Sequence, residues 1–336
     1  MSATPGHRAG MPGGGPSVPA PDVVVLGEVL VELSSLEPLA EGATLRLAFS
    51  GDALNAAAAA AAAGARTVLV ARVPDDELGD ALIERVAALG IATDGIVRAS
   101  GQHGIYLTHA DPDGAREFVY ARRGSAGSGL DVADLDDELL SSAGVVLASG
   151  VACAISRTAA QAVRHAAGVA RRFVYDPNLR PRLTSPEQAA SVLRELAPLS
   201  DVITPSWPGE TQALLGLGPD TPPVEVARRT AELGAAAVVL TCGPQGAIVA
   251  ADGQIHEVPG VPAPAVVDQT GAGDCLAGTL SARLALGDPL VEAVRLGVAA
   301  AALSVQGRGG TGHVPTLAET RNALAGLRPA EEMSPR

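Results

Sequence analysis

One stretch of the chain concentrates groups able to handle an anion: Val266-Val267-Asp268-Gln269-Thr270-Gly271-Ala272-Gly273-Asp274-Cys275-Leu276-Ala277-Gly278. An apolar pair leads into a turn of small residues, and a helix follows. Gly271, Ala272 and Gly273 expose backbone N–H groups at that helix's N-terminus. Unpaired amides and the helix dipole favour negative charge there. Asp274 is the only carboxylate in the first turn. A carboxylate beside an anion-binding turn is electrostatically unfavourable unless it has a task, and taking a proton from a hydroxyl is such a task. The plainer alternative is a Gly-rich turn with an Asp favouring the helix start.

A second group stands out because aromatic residues make up only 2% of the chain. Two of the three tyrosines, Tyr106 and Tyr120, fall in one polar, strand-like region with Arg122 two residues on. A strand alternates faces, so Tyr120 and Arg122 point the same way. Arg180 follows a buried strand, at the ligand edge of a parallel sheet. Two arginines and two tyrosines suit a small acid with hydroxyls, because guanidinium pairs with carboxylate in a fork. For Arg122 and Arg123 a solvated strand edge is the alternative.

Composition removes several chemistries. The 336 residues carry a net charge of −13, and all 24 basic residues are arginine. Without lysine there is no Walker A lysine, Schiff base or pyridoxal chemistry. The acidic balance argues against nucleic acid. Cys153, Cys242 and Cys275 are isolated, which suits a reducing cytoplasm. The six histidines show no zinc spacing. His103 and His109 read as surface residues. No apolar run approaches the ~20 residues of a membrane span. Residues 1–20 lack the apolar core of a signal peptide and read, with 329–336, as disordered tails. Gly307-Arg308-Gly309-Gly310-Thr311-Gly312 satisfies GxGxxG but has no strand before it, so it reads as a loop near an adenine pocket rather than a dinucleotide site.

The elements that must hold these groups alternate between strand and helix. A buried strand at 23–27 is followed by an alternating strand at 45–49. Asp52 can cap a helix through the eight alanines of 56–63, and Gly64 stops it. A strand at 67–70 and an amphipathic helix at 75–89 follow. From 96 to 123 the helical period disappears, and two strands flank a turn at 110–114. Strand–helix units then resume to about 327. This is an α/β chain with a mostly parallel central sheet, helices on both faces and a small β lid. The lid is expected from about 43–50 and 96–123, within one domain spanning 21–328.

Asp268-Gln269-Thr270-Gly271-Ala272-Gly273-Asp274 resembles the DTxGAGD signature of the PfkB (ribokinase-like) carbohydrate kinases. Gly51-Asp52-Ala53-Leu54-Asn55-Ala56 is similar to that family's GGxxxNxA segment. Pro74-Asp75-Asp76-Glu77-Leu78-Gly79 resembles its GxDxxG, and Thr241-Cys242-Gly243-Pro244-Gln245-Gly246 its TxGxxG. The four come in the family's order and cover about 22–327. Tyr120-Ala121-Arg122-Arg123-Gly124-Ser125-Ala126, after Gly104-Ile105-Tyr106-Leu107, resembles the YxRxGSA and GxYL segments of 2-keto-3-deoxygluconate kinases. Asp176-Pro177-Asn178-Leu179-Arg180 resembles their DxNxR, and Gly27-Glu28-Val29-Leu30-Val31 their opening strand.

The resemblance implies transfer of the γ-phosphoryl group of ATP to a hydroxyl of a small sugar acid, most closely 2-keto-3-deoxygluconate. Fructose, ribose or a nucleoside is the other enzymatic possibility, and a silent binding protein on the same fold is a third. Glu32, a carboxylate near the pocket, favours a neutral sugar. Asp274 is implied as the base, with Gly271, Ala272 and Gly273 stabilising the transferring group. Gly51, Asn55, Tyr106, Tyr120, Arg122 and Arg180 are implied around the acceptor. Thr241, Gly243 and Gly246 are implied along the nucleotide. Glu210 matches the glutamate of the family's NxxE, which helps organise Mg²⁺, although Trp207 stands where Asn is usual. A monovalent cation such as K⁺, and a homodimer through the lid, are further expectations from the resemblance.

Overall fold

A computed structural model describes residues 19–109, 118–218 and 220–326. The expected tail at 329–336, residues 1–18 of the tail expected at 1–20, and the lid turn at 110–114 lie outside the described residues.

In the first part of the chain run β1 (Val23–Leu26), β2 (Leu30–Ser35), β3 (Arg46–Ser50), α1 (Asp52–Ala62), β4 (Thr67–Pro74), α2 (Glu77–Ala88), β5 (Ile91–Ala92), β6 (Ile96–Ala99), β7 (Ile105–His109) and β8 (Phe118–Ala121). Then come α3 (Asp137–Ser142), β9 (Val145–Ser149), α4 (Gly150–Ile155), α5 (Arg157–Val169), β10 (Phe173–Asp176), α6 (Pro186–Leu196), β11 (Val202–Ile203), α7 (Gly209–Leu215), α8 (Pro223–Ala231) and β12 (Ala237–Thr241). The hairpin β13 (Gly246–Ala251) and β14 (Gln254–Pro259) leads to α9 (Ala272–Ala285), α10 (Leu290–Ser304) and α11 (Leu317–Ala325).

The large sheet has the order β14-β13-β12-β11-β10-β9-β1-β4-β5, with β6 also paired to β4. It is parallel from β12 through β5, and β13 is antiparallel to both of its neighbours, β12 and β14. Strand alternation sends its side chains to two cores. Val23 and Val25 join the layer of α1, α2, α9 and α10, while Val24 and Leu26 join that of α3 to α8. The alanine run leaves α1 thin enough to lie against α9 as well as the sheet. At Gly278 of α9, a Cβ would fall 2.0 Å from the Ala56 carbonyl oxygen.

The lid is a separate four-stranded sheet in the order β3-β2-β7-β8. It differs from the expected boundaries in two ways. Strand β2 supplies one of its two central strands. Residues 96–99 belong instead to the large sheet, because β4 runs four residues beyond the expected 67–70 and offers its edge at Ala71–Pro74 to β6. Helix starts also differ. Gly51, not Asp52, is the N-cap of α1, and Asp52 is its first residue. Helix α2 begins at Glu77, with the Asp76 carboxylate accepting from Gly79 N–H. Helices α4 and α7 are too short to show a period in the sequence.

Candidate active site

The carboxyl ends of the parallel strands and the inner face of the lid enclose a cavity of about 780 Å³. Gly51, Asn55, Tyr106, Tyr120, Arg122, Arg180, Glu210, Thr241, Gly243, Gly271, Ala272, Gly273 and Asp274 all line it. Gly246 does not. It starts β13 at φ 99°, and a Cβ there would meet the Val258 carbonyl at 2.1 Å. Close backbone packing requires its glycine.

The turn before α9 is shaped by Asp268, whose carboxylate accepts from Thr270 N–H (2.8 Å) and Gly309 N–H (2.9 Å). Gly271 is the N-cap of α9 at φ 81°, a left-handed conformation that suits glycine. Ala272 N–H turns back to the Gln269 carbonyl at 3.3 Å. The Gly273 and Asp274 amides, in the first helical turn, have no intrahelical acceptor.

Asp274 is buried at the head of α9 and faces the cavity. Asn55 Nδ2 donates to its Oδ2 at 2.8 Å, and Asn178 Nδ2 to its Oδ1 at 3.0 Å. Ser50 Oγ donates to Asn55 Oδ1, which fixes that amide's orientation. Burial first, and then the Asp52 carboxylate, push Asp274 up to about 6. This suits a base that must be ionised at neutral pH yet hold a proton readily. Asp176, which also lines the cavity, is raised well above the ordinary carboxylate range by burial and by Glu210 and Asp274.

On the lid side, Tyr106 and Tyr120 are cross-strand neighbours with ring centroids 6.1 Å apart. The Arg122 guanidinium lies 5.7 Å from the Tyr120 ring centre and pairs with the fully buried Glu28. Ser125 Oγ donates to the other Glu28 oxygen at 2.7 Å. Arg122 Nε finds no acceptor among the described residues. Arg180 enters from the loop after β10 and is exposed. Glu32 does not line the cavity. It accepts from Tyr106 Oη at 2.5 Å and packs on Gly309, so it anchors the lid rather than an acceptor sugar.

On the opposite side, Glu210 Oε1 accepts from Leu179 N–H (2.5 Å) and Oε2 from Ser206 N–H (2.7 Å). Among the described residues no three acidic, His or Cys side chains group as metal ligands. Mg²⁺ keeps several waters and needs only one or two carboxylates. Glu210 thus fits an ion held through water and not one bound inside a protein cage. Trp207, in place of the usual Asn, lines the cavity, and its Nε1 donates to the Thr221 carbonyl at 3.4 Å.

Asn178 and Asp52 are among the site residues that the sequence does not reveal. Asn178 lies inside the DxNxR-like segment, whose spacing says nothing about what its amide touches. Asp52 read as a helix cap. The contacts of the loop at 307–312 reach both the lid and α1. It packs on Glu32 and Asn55, and Thr311 Oγ1 donates to the Phe49 carbonyl, so it braces the lid and the Asp268 turn.

The sequence pattern of the pfkB family carbohydrate kinases matches residues 20–317. The 2-dehydro-3-deoxygluconokinase of Thermoproteus tenax is 36% identical, covering 91% of this chain and 94% of that protein. Fructokinase-1 of Zea mays is 29% identical, covering 88% and 95%. Among solved structures, a PfkB protein from Polaromonas sp. JS666 is similar with a TM-score of 0.79 and 32% identity, covering 90% and 99%.

Proposed function

Because the chain belongs to the pfkB family of carbohydrate kinases, and so is a sugar kinase, we propose that it phosphorylates 2-keto-3-deoxygluconate, or a close sugar acid, from ATP with Mg²⁺. The acceptor hydroxyl lies against Asp274, which takes its proton as the oxygen bonds to the γ-phosphorus and ADP leaves. The Gly273 and Asp274 amides face the charge on the transferring group. Thr241 and Gly243 line the nucleotide side, and Glu210 would organise the waters of a Mg²⁺ ion, which would supply charge neutralisation to the phosphates. The lid strands exclude water that would otherwise accept the phosphoryl group.

One observation carries the acid over a neutral sugar. Arg122 and Arg180 reach one cavity from different elements, with Tyr106, Tyr120 and Asp274 around them. A neutral sugar does not require this. The Thermoproteus tenax relative supports the same reading, and Glu32, engaged with Tyr106, no longer speaks for a neutral sugar. An ATP-consumption screen across sugar acids, neutral sugars and nucleosides tests it. Turnover on 2-keto-3-deoxygluconate above that on fructose, ribose and nucleosides is the expected result, and the reverse order returns the assignment to a neutral sugar.

The lid supports a homodimer. On the face opposite Tyr106 and Tyr120, Leu47, Leu33, Leu107 and Val119 align across all four strands. Leu47 and Val119 are 50% and 49% exposed. Sedimentation should give a dimer for the native chain and a monomer for Leu47→Glu. A monomeric native chain overturns this.

A further inference from the structure

We propose that Asp52 is a specificity-determining residue of the acceptor pocket, which takes up one proton from solvent when an acid binds beside Arg122 and Arg180 and none when a neutral sugar binds. This rests on the reading of the acceptor as a sugar acid. Asp52 is the first residue of α1, and its side chain lines the cavity together with both arginines. Ser149 Oγ donates to its Oδ2 at 2.5 Å. The same hydroxyl accepts from Val151 N–H at the start of α4, so the Ser149 rotamer is fixed and its one proton is committed to Asp52.

The charges facing Asp52 come from every element around it. Arg122 of the lid and Arg180 after β10 are positive. Glu28 beyond β1 and Asp274 of α9 are negative, and Cys153 of α4 is a neutral thiol. Asp176 of β10 shares a small buried chamber with Asp52, Ser149 and Asp274. Burial raises the Asp52 carboxyl, while Ser149 and the two arginines lower it. Arg122 already serves Glu28. A substrate carboxylate therefore competes with Asp52 for the two arginines that line the cavity with it and adds a like charge beside a carboxyl already raised by burial. The relief is a proton on Asp52, which lets the acid in without leaving two anions against two shared cations.

Isothermal titration with 2-keto-3-deoxygluconate tests this, using the whole protein saturated with a non-hydrolysable ATP analogue between pH 6 and 9. Buffers of different ionisation enthalpy count the protons. The native chain should take up a fraction that approaches about one proton per acid bound at its maximum, and none with fructose. Asp52→Asn should bind the acid without that uptake and with an affinity nearly flat in pH. Ser149→Ala, a second variant that keeps the carboxylate, should move the uptake window to higher pH. Absence of uptake in the native chain, or equal uptake in Asp52→Asn, overturns the inference and leaves the acceptor reading standing. Binding of fructose without binding of the acid overturns the acceptor reading and this inference with it.

Discussion

Asn178 donates to Asp274 from a backbone held at φ 41°, in the left-handed region. Asn tolerates that conformation better than most residues, and here it aims the amide back at the base. With Asn55 on the other oxygen, the carboxylate is held in one plane by two donors from separate elements. Preorganised orientation of this kind is what a general base needs, because a small misplacement costs rate steeply.

Asp274→Asn should leave the fold and ATP binding nearly intact and remove most phosphoryl transfer. The loss should be on the order of 10²- to 10⁴-fold in kcat. Wild-type turnover in this variant would remove Asp274 as the base.

Asn178→Ala should move the acid limb of the kcat/KM profile upward. The base is active when ionised, so activity falls as pH drops through about 6. The Asn178 amide favours the ionised form, and its removal raises that value. A hydrogen bond to a charged group is worth roughly 1.5–3 kcal/mol, or about one to two pH units. A pH profile with an unmoved limb and a uniformly lower rate means that Asn178 serves only the loop.

Arg122→Ala should do two separable things. Loss of the substrate contact should raise KM for the acid by about 10- to 150-fold and change neutral-sugar turnover little. Loss of the partner of a buried Glu28 should also destabilise the fold by about 3–5 kcal/mol. Adding Glu28→Gln should restore much of the melting temperature without restoring KM. Arg122→Lys should rescue binding only in part, because ammonium cannot form the fork. Equal KM changes for acid and neutral acceptors would assign Arg122 to lid structure alone.

Stability should rise on mild acidification. Glu28, Glu32, Asp52, Asp176, Glu210 and Asp274 are all raised by burial in the fold. The native state thus binds more protons than the unfolded chain, and stability falls as pH rises through the folded values. For Asp274 this window runs from 3.8 to about 6. Asp22, Asp76 and Asp288 are lowered by Arg66, His103 and Arg283, so their contribution disappears below the ordinary carboxylate range. Thermal denaturation should give a higher Tm near pH 5.5 than at pH 8. A Tm that climbs steadily to pH 8 contradicts the buried-carboxylate account.

The alternation of apolar runs and amphipathic segments made the large sheet legible, because both periods are local properties of the chain. The Gly271–Asp274 turn was legible for the same reason. Strand β2 was not, since Glu32 interrupts its apolar pattern and its partner Tyr106 is 74 residues away. Residues 96–99 read as a lid strand because nothing local reveals that they will meet the edge of β4. Asp52 looked like a cap because Asp favours helix starts. Only the fold brings Ser149, 97 residues on, to its carboxylate.

The contact of Gly278 with the Ala56 carbonyl bears on what can move. Asn55 rides on α1 and Asp274 on α9, and these two helices meet with no side chain between their backbones at that point. The base and one of its orienting amides therefore belong to a single rigid block. The lid strands form a separate sheet outside that block. Changes of acceptor can arise by altering those strands while the proton-transfer geometry is inherited unchanged.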